Sequence, residues 1–203
     1  MKTLFDKVSH KCSKNVTQTY STSFSIATRL LAPSIRQDIY NIYGFVRLAD
    51  EIVDSFHSYD KEKLFNNFKE QLNQALEQKI SLNPVLNAFQ ETVHKYQIQP
   101  ELYKAFMDSM QRDLKQSNYN EYSEYEDYIY GSASAVGLMC LKVFVGGNQN
   151  KYNELEPYAK ILGSAFQKVN FLRDLGADCN ELNRSYFPNA NFDQIDDNTK
   201  LDI

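Results

Sequence analysis

Hydrophobic positions recur at helical spacing along almost the whole chain. The clearest run is Ile35, Ile39, Ile42, Val46, Ala49, Val53 and Phe56. Its steps of four and three keep one face buried for about six turns. The chain enters it through Pro33-Ser34-Ile35-Arg36-Gln37, where Ser34 and Gln37 have the spacing of a capping box. Further helices are predicted at Lys61–Gln78, Pro84–Tyr96, Pro100–Gln116, Ser123–Gly146 and Asn153–Cys179. Pro84 and Pro100 each suit a first helical position. An earlier helix runs roughly over Ser13–Leu31, through the hydroxyl-rich Tyr20-Ser21-Thr22-Ser23-Phe24. No stretch alternates as a half-buried strand would. The expectation is an all-α bundle of about seven helices in a single domain, residues 1–203.

Composition supports this pattern. Only 7 Gly and 5 Pro punctuate the chain, which favours long helices over many short strands. The net charge of -4, without a basic run, gives no footprint for nucleic acid. Cys12, Cys140 and Cys179 form neither a CxxC pair nor a Cys/His cluster. That argues against a disulfide framework and fits a reducing cytoplasm. The N-terminus lacks the apolar core of a signal peptide. The longest apolar stretch, Ala135–Val145, is broken by Lys142 and is too short to span a bilayer. A cytoplasmic protein is expected, with peripheral membrane contact left open and the oligomeric state unset.

Candidate chemistry lies on a second stripe of the Pro33 helix. Tyr43, Arg47, Asp50 and Asp54 step four, three and four, each one residue after a core position and so about 100° round the helix. Asp50 and Asp54 project one turn apart to the same side. Two carboxylates so spaced suit Mg2+, with Mn2+ as a substitute, because such ions complete their shells with water and substrate phosphate. Arg47 offers planar donors for a diphosphate. The pair alone fits a solvated helix face equally well. The last helix shifts that balance: Gln167, Asn170, Asp174 and Asp178 step three, four and four beside the apolar Leu162, Phe166, Val169 and Leu172. Two such stripes facing each other would hold metal ions and a diphosphate between them. Without metal, these aspartates are expected to be poorly compensated.

Several blocks then resemble the squalene and phytoene synthase family. They are Tyr20-Ser21-Thr22-Ser23-Phe24, Tyr43 to Asp54, Tyr130-Gly131-Ser132-Ala133-Ser134-Ala135-Val136-Gly137, Asn170-Phe171-Leu172-Arg173-Asp174 through Asp178, and Asn183-Arg184-Ser185-Tyr186-Phe187-Pro188. They occur in the family's order and cover most of the chain. The resemblance implies the isoprenoid-synthase helical bundle. It also implies a prenyltransferase that condenses two geranylgeranyl diphosphates to 15-cis-phytoene through a cyclopropyl diphosphate, in carotenoid biosynthesis. Squalene or dehydrosqualene formation from farnesyl diphosphate is one alternative, and a non-catalytic family relative or inactive fragment acting as a helical interaction module is the other.

By the same resemblance, Asp50, Asp54, Asn170, Asp174 and Asp178 bind magnesium. Arg47, Arg184 and Tyr186 contact the prenyl diphosphate, with Ser21, Ser23 and Gln167 in support. Tyr43, Tyr130 and Phe24 line the cation region, where ring faces stabilise positive charge. Glu51 stands where the family has a second adjacent aspartate, Tyr20 where some members have His, and Asn183 where a glycine is common. The chain reaches Ile203 soon after the last matching block, where relatives continue through further helices. A C-terminally truncated bundle is therefore expected, with an incomplete cavity and uncovered apolar surface near Tyr130–Val145 and Leu162–Leu172.

Overall fold

The computed structural model describes residues 2–115 and 121–180, with side chains of the last helix given as far as Asp174. These residues form helices throughout, with no strand among them. The order is α1 (Lys2–Tyr20), α2 (Thr22–Leu30), α3 (Pro33–Asp54), α4 (Lys61–Gln78), α5 (Pro84–Tyr96) and α6 (Pro100–Asp113), followed by α7 (Tyr122–Ile129), a π-helical turn (Tyr130–Ser134), α8 (Ala135–Phe144) and α9 (Gln149–Asn180).

Helix α3 is the spine. It packs against α1, α4, α5, α6 and α8, while α9 closes on α8 and the π turn. The buried stripe predicted for α3 supplies Ile39, Ile42, Ala49 and Val53, and Phe45 joins it between them. Phe45 stacks on Phe89 of α5 with ring centroids 3.9 Å apart and meets Phe106 of α6 edge-on at 5.5 Å. Phe65, Phe68 and Leu72 of α4, and Leu138 and Met139 of α8, complete the core. Two glycines permit the closest helix approaches. A Cβ on Gly131 would sit 2.5 Å from the Ala105 carbonyl oxygen, and one on Gly163 would sit 2.9 Å from Ser134 Cα.

Helices α4 and α5 have the predicted limits, and both begin on a cap. Asp60 accepts from the Lys63 amide at 2.9 Å, and Asn83 accepts from Val85 at 3.1 Å, just before Pro84. Elsewhere the boundaries differ for identifiable reasons. The Ser13–Leu31 helix is two helices, because Ser21 leaves the helical conformation (φ -144, ψ 108) and caps α2 by accepting from the Phe24 amide. The capping box at Ser34 does not form. Pro33 takes the first helical position, Ala32 precedes it without a side-chain cap, and Gln37 donates instead to the His10 carbonyl at 3.0 Å and to Asn41 Oδ1 at 2.9 Å. Gln37 thereby fastens α1 to α3 rather than closing its own helix end. The Ser123–Gly146 helix is interrupted by the π turn, where the Ala135 amide bonds the Tyr130 carbonyl. Helix α6 ends at Asp113, short of the predicted Gln116, and α9 starts one turn early, at Gln149.

The predicted apolar stripe of α9 also differs. Leu162, Phe166, Val169 and Leu172 are exposed, while Phe171 on the other side of the helix is buried. Exposed apolar surface is thus present on α9. The predicted companion surface at Tyr130–Val145 is mostly covered, with Leu138, Met139 and Val143 fully buried.

Candidate active site

The polar stripe of α3 and that of α9 line one open cavity of about 300 Å³. Arg47, Asp50 and Asp54 come from α3, and Gln167, Asn170, Arg173 and Asp174 come from α9. Phe106, Met110, Tyr128 and Phe171 provide apolar walls, and Asp113 and Ser132 add polar atoms. The stripes meet because each lies about a quarter turn from a packed face, so packing those faces turns the stripes toward the space between the helices.

Arginines hold the carboxylates. Arg47 Nη1 donates to Asp50 Oδ2 at 2.6 Å, and its Nη2 donates to Glu51. The Tyr20 ring lies 4.6 Å beneath the Arg47 guanidinium. Burial alone would lower the Arg47 pKa, but Asp50 and Glu51 outweigh it and hold the group above its ordinary value. Arg173 binds Asp174 through two bonds, of 2.8 and 2.6 Å, and this pairing raises the Arg173 pKa. The expectation of poorly compensated aspartates is therefore corrected for Asp50 and Asp174. Each has an arginine close in sequence on its own helix, a local contact that a search for facing carboxylates passes over. Asn170 Nδ2 and Gln167 Oε1 approach to 3.5 Å, the long limit of a hydrogen bond.

The other expected site residues fall in three places. Phe24 and Tyr43 stack at 4.5 Å in the corner between α2 and α3, next to Ser21. Burial raises the Tyr43 pKa, and the hydrogen bond with Ser21 offsets this in part. Ser21 is occupied as a cap, and Ser23 is exposed on α2. This corner touches the cavity through Tyr20 and Arg47 rather than forming its wall. Tyr130 lines a different cavity, of about 330 Å³, with Glu126, Ser134, Lys160 and Ser164. The α9 backbone carries Asp178 one turn beyond Asp174, but its side chain lies outside the described residues, as do Arg184 and Tyr186 entirely.

Among the cavity residues that escaped the sequence reading, Tyr128, Arg173 and Asp113 bear most directly on its chemistry. Tyr128, two positions before Tyr130, is buried and donates to Asp113 Oδ2 at 2.8 Å. Arg173 was present in a recognised block without a role. Asp113 had no signal in sequence, because it is the last residue of α6 and its partner is on another helix.

Whether these residues suit a divalent cation follows from their chemistry. Asp50, Asp54 and Asp174 offer carboxylate oxygens, Asn170 an amide oxygen, and among the described residues neither His nor Cys lines the cavity. That donor set suits a hard cation. Beside it, Arg47 Nε is buried without a hydrogen-bond partner among the described residues, a spare donor for an anionic group. No three described His, Cys, Asp or Glu side chains stand close enough to hold one ion alone. The residues fit a cation that is completed by water and phosphate oxygens rather than one enclosed by protein.

Residues 17–201 match the sequence model of the squalene/phytoene synthase family. The chain belongs to this family. Chloroplastic phytoene synthase 2 of Oryza sativa subsp. japonica is 31% identical over 182 residues, covering 88% of this chain and 45% of the rice protein. The chloroplastic phytoene synthase of Daucus carota is 31% identical over 188 residues, covering 91% of this chain and 45% of the carrot protein. The chain thus spans about half the length of these plant relatives. Among solved structures, squalene synthase HpnC from Alicyclobacillus acidocaldarius superposes with a TM-score of 0.79 at 22% identity, over 90% of this chain and 67% of that one. A dehydrosqualene synthase in complex with ligand gives 0.79 at 24%, over 90% and 62%. These likenesses identify the helical bundle as the isoprenoid-synthase fold. Among the described residues no helix is long and apolar enough to cross a membrane.

Proposed function

We propose that this chain carries the ionising half of a head-to-head prenyl synthase of the phytoene synthase type, acting on geranylgeranyl diphosphate with magnesium. The observation that carries this reading is the meeting of Arg47, Asp50 and Asp54 with Gln167, Asn170 and Asp174 across one cavity. Asp50, Asp54, Asn170 and Asp174 would hold Mg2+, or Mn2+ in its place, with Asp178 in support. Bound there, a divalent cation would supply Lewis-acid stabilisation of the negative charge on the leaving diphosphate.

The chain's own residues do the rest. Arg47, tethered by Glu51 and the Tyr20 ring, orients the diphosphate through its remaining donors. Phe106, Met110 and Phe171 keep water from the allylic carbon, and the Tyr128 ring presents a face to positive charge. The allylic carbocation is captured by the second substrate's double bond with loss of a proton, giving a cyclopropyl diphosphate and one free diphosphate; loss of the second diphosphate, rearrangement and loss of another proton then give the linear hydrocarbon. Relatives at 27–31% identity are phytoene synthases, which favours the geranylgeranyl chain over the farnesyl chain. Of the other expected residues, Arg184 and Tyr186 would assist the diphosphate, while Phe24, Tyr43, Ser21 and Ser23 stand in the corner behind Arg47 and Tyr130 lines the neighbouring cavity, where they would act only on parts of the substrates that reach beyond the acid cavity.

The test uses labelled geranylgeranyl diphosphate and labelled farnesyl diphosphate, each with and without magnesium. Magnesium-dependent diphosphate release from the geranylgeranyl substrate is expected, with phytoene, or the alcohol where water quenches the cation, as the carbon product. Faster turnover of farnesyl diphosphate would move the assignment to squalene-type chemistry. No magnesium-dependent release from either substrate would reject the reading.

A further inference from the structure

The C-terminal end of α3 is closed by a side chain from another helix. Where α4 and α5 end on left-handed residues, Lys79 and Gln97, α3 passes into Ser55 at φ -105 and ψ -24, which is right-handed. The left-handed turn that brings following amides back to the last carbonyls is therefore missing here. The Ser55 amide reaches the Glu51 carbonyl. Beyond it Lys61 takes over. Its ammonium donates to the Val53 carbonyl at 2.8 Å and to the Asp54 carbonyl at 3.4 Å, and it lies 3.1 Å from His57 Nδ1.

Lys61 is placed for α3 rather than for its own helix. It is the first residue of α4, where the helix dipole favours carboxylates and disfavours cations. At the end of α3 the same charge meets the negative pole of a helix, where a cation is favoured. Its three contacts match the three donors of an ammonium.

Asp54 is the last residue of α3. Asp50, one turn earlier, has helix on both sides and Arg47 on its carboxylate. Asp54 has helix on one side only, so the direction of its side chain depends on whether the last turn stays wound. We infer that Lys61 is a positioning residue for the acid cavity: by clamping the Val53 and Asp54 carbonyls it keeps the final turn of α3 helical and holds Asp54 in line with Asp50 toward a divalent cation. This role rests on the reading of Asp50 and Asp54 as cation ligands. It also carries a sign of its own. Taking a positive charge away from beside a cation site would by itself tighten cation binding. Losing a group that orients a ligand weakens it instead, typically by about 10- to 100-fold.

Electron paramagnetic resonance of Mn2+ added to the full 203-residue chain with inorganic diphosphate reads this, together with amide hydrogen exchange of the metal-free chain. Lys61→Met keeps the side-chain stem and removes the charge. It should weaken Mn2+ uptake by at least about 10-fold. It should also speed exchange at Val53, Asp54 and Ser55, while Phe65 and Phe89 in the core exchange as before. Lys61→Arg, which can span the same carbonyls, should restore both. Mn2+ uptake by Lys61→Met equal to or tighter than that of the unchanged chain would overturn the inference and leave the metal reading in place. Unchanged exchange at the end of α3 would do the same. No Mn2+ uptake by the unchanged chain would reject the metal reading, and this role of Lys61 with it.

Discussion

Replacing Asp50 with asparagine separates the two roles its carboxylate has. In the structure, Asp50 accepts from Arg47 at 2.6 Å, and the two side chains are 31% and 29% exposed. Pairs this accessible contribute about 0–1 kcal/mol, because water and salt screen them. Arg47 also keeps Glu51 and the Tyr20 ring after the change, so its charge is not stranded. Asp50→Asn should therefore cost at most about 1 kcal/mol of stability. The effect on diphosphate release should be far larger. Removing one preorganised charge-stabilising group from a reacting centre costs about 100- to 1,000-fold, or about 2.7–4 kcal/mol. Urea unfolding followed by circular dichroism measures the first quantity, and release of labelled diphosphate in magnesium measures the second. A stability loss above about 3 kcal/mol would make Asp50 a structural ion-pair partner whose removal strands a buried charge. Unchanged release would remove Asp50 from the site.

Other expectations follow from the packing. Phe45→Ala should lower stability by about 3–5 kcal/mol, read from urea midpoints, because the ring is fully buried and contacts three other phenylalanines. Gly131→Ala places a Cβ 1.9 Å from Ser109 Oγ and 2.5 Å from the Ala105 carbonyl oxygen; the hydroxyl can rotate away but the carbonyl cannot, so a loss of about 1–3 kcal/mol is expected in thermal unfolding. Burial pushes Tyr125 and Tyr152 up to about 12, against an ordinary value of 10.0. Between these values the unfolded chain has released protons that the native chain still holds, so stability should be intact below about pH 10 and fall toward pH 12. Tyrosine absorbance and melting temperature followed over that range check it, and a flat stability profile would refute the burial of these rings.

Much of this architecture could be read from spacing. The inner stripe of α3 and the two acid stripes were legible because helical periodicity fixes which residues share a face, and α4 and α5 were legible because acidic or amide caps and a proline mark their starts. Periodicity failed where a contact over distance decided the outcome. Gln37 chose α1 over its own helix end, and Asp113 met Tyr128 from a different helix. It also failed on α9, because an apolar stripe has the same spacing whether something covers it or nothing does. The choice of Tyr130 over Tyr128 shows a third limit. The two residues are two positions apart, and only the packing of α7 against α6 and α9 decides which of them reaches the acid cavity.

The π turn at Tyr130–Ser134 has a consequence for what changes this chain tolerates. It takes one residue more per hydrogen-bonded ring than the α-helices on either side. Five residues of π-helix turn about as far round the axis as four of α-helix, so the extra residue is absorbed without changing the phase between Tyr128, which reaches the acid cavity, and Leu138 and Met139, which fill the core. Deleting a single residue here would let α7 run on into α8 as one regular helix with both faces kept. The same deletion inside α8 would rotate everything beyond it by about 100°, and Leu138 and Met139 would exchange the core for the surface. The turn is therefore where this part of the chain can change its length by one residue and keep both the wall of the cavity and the core behind it.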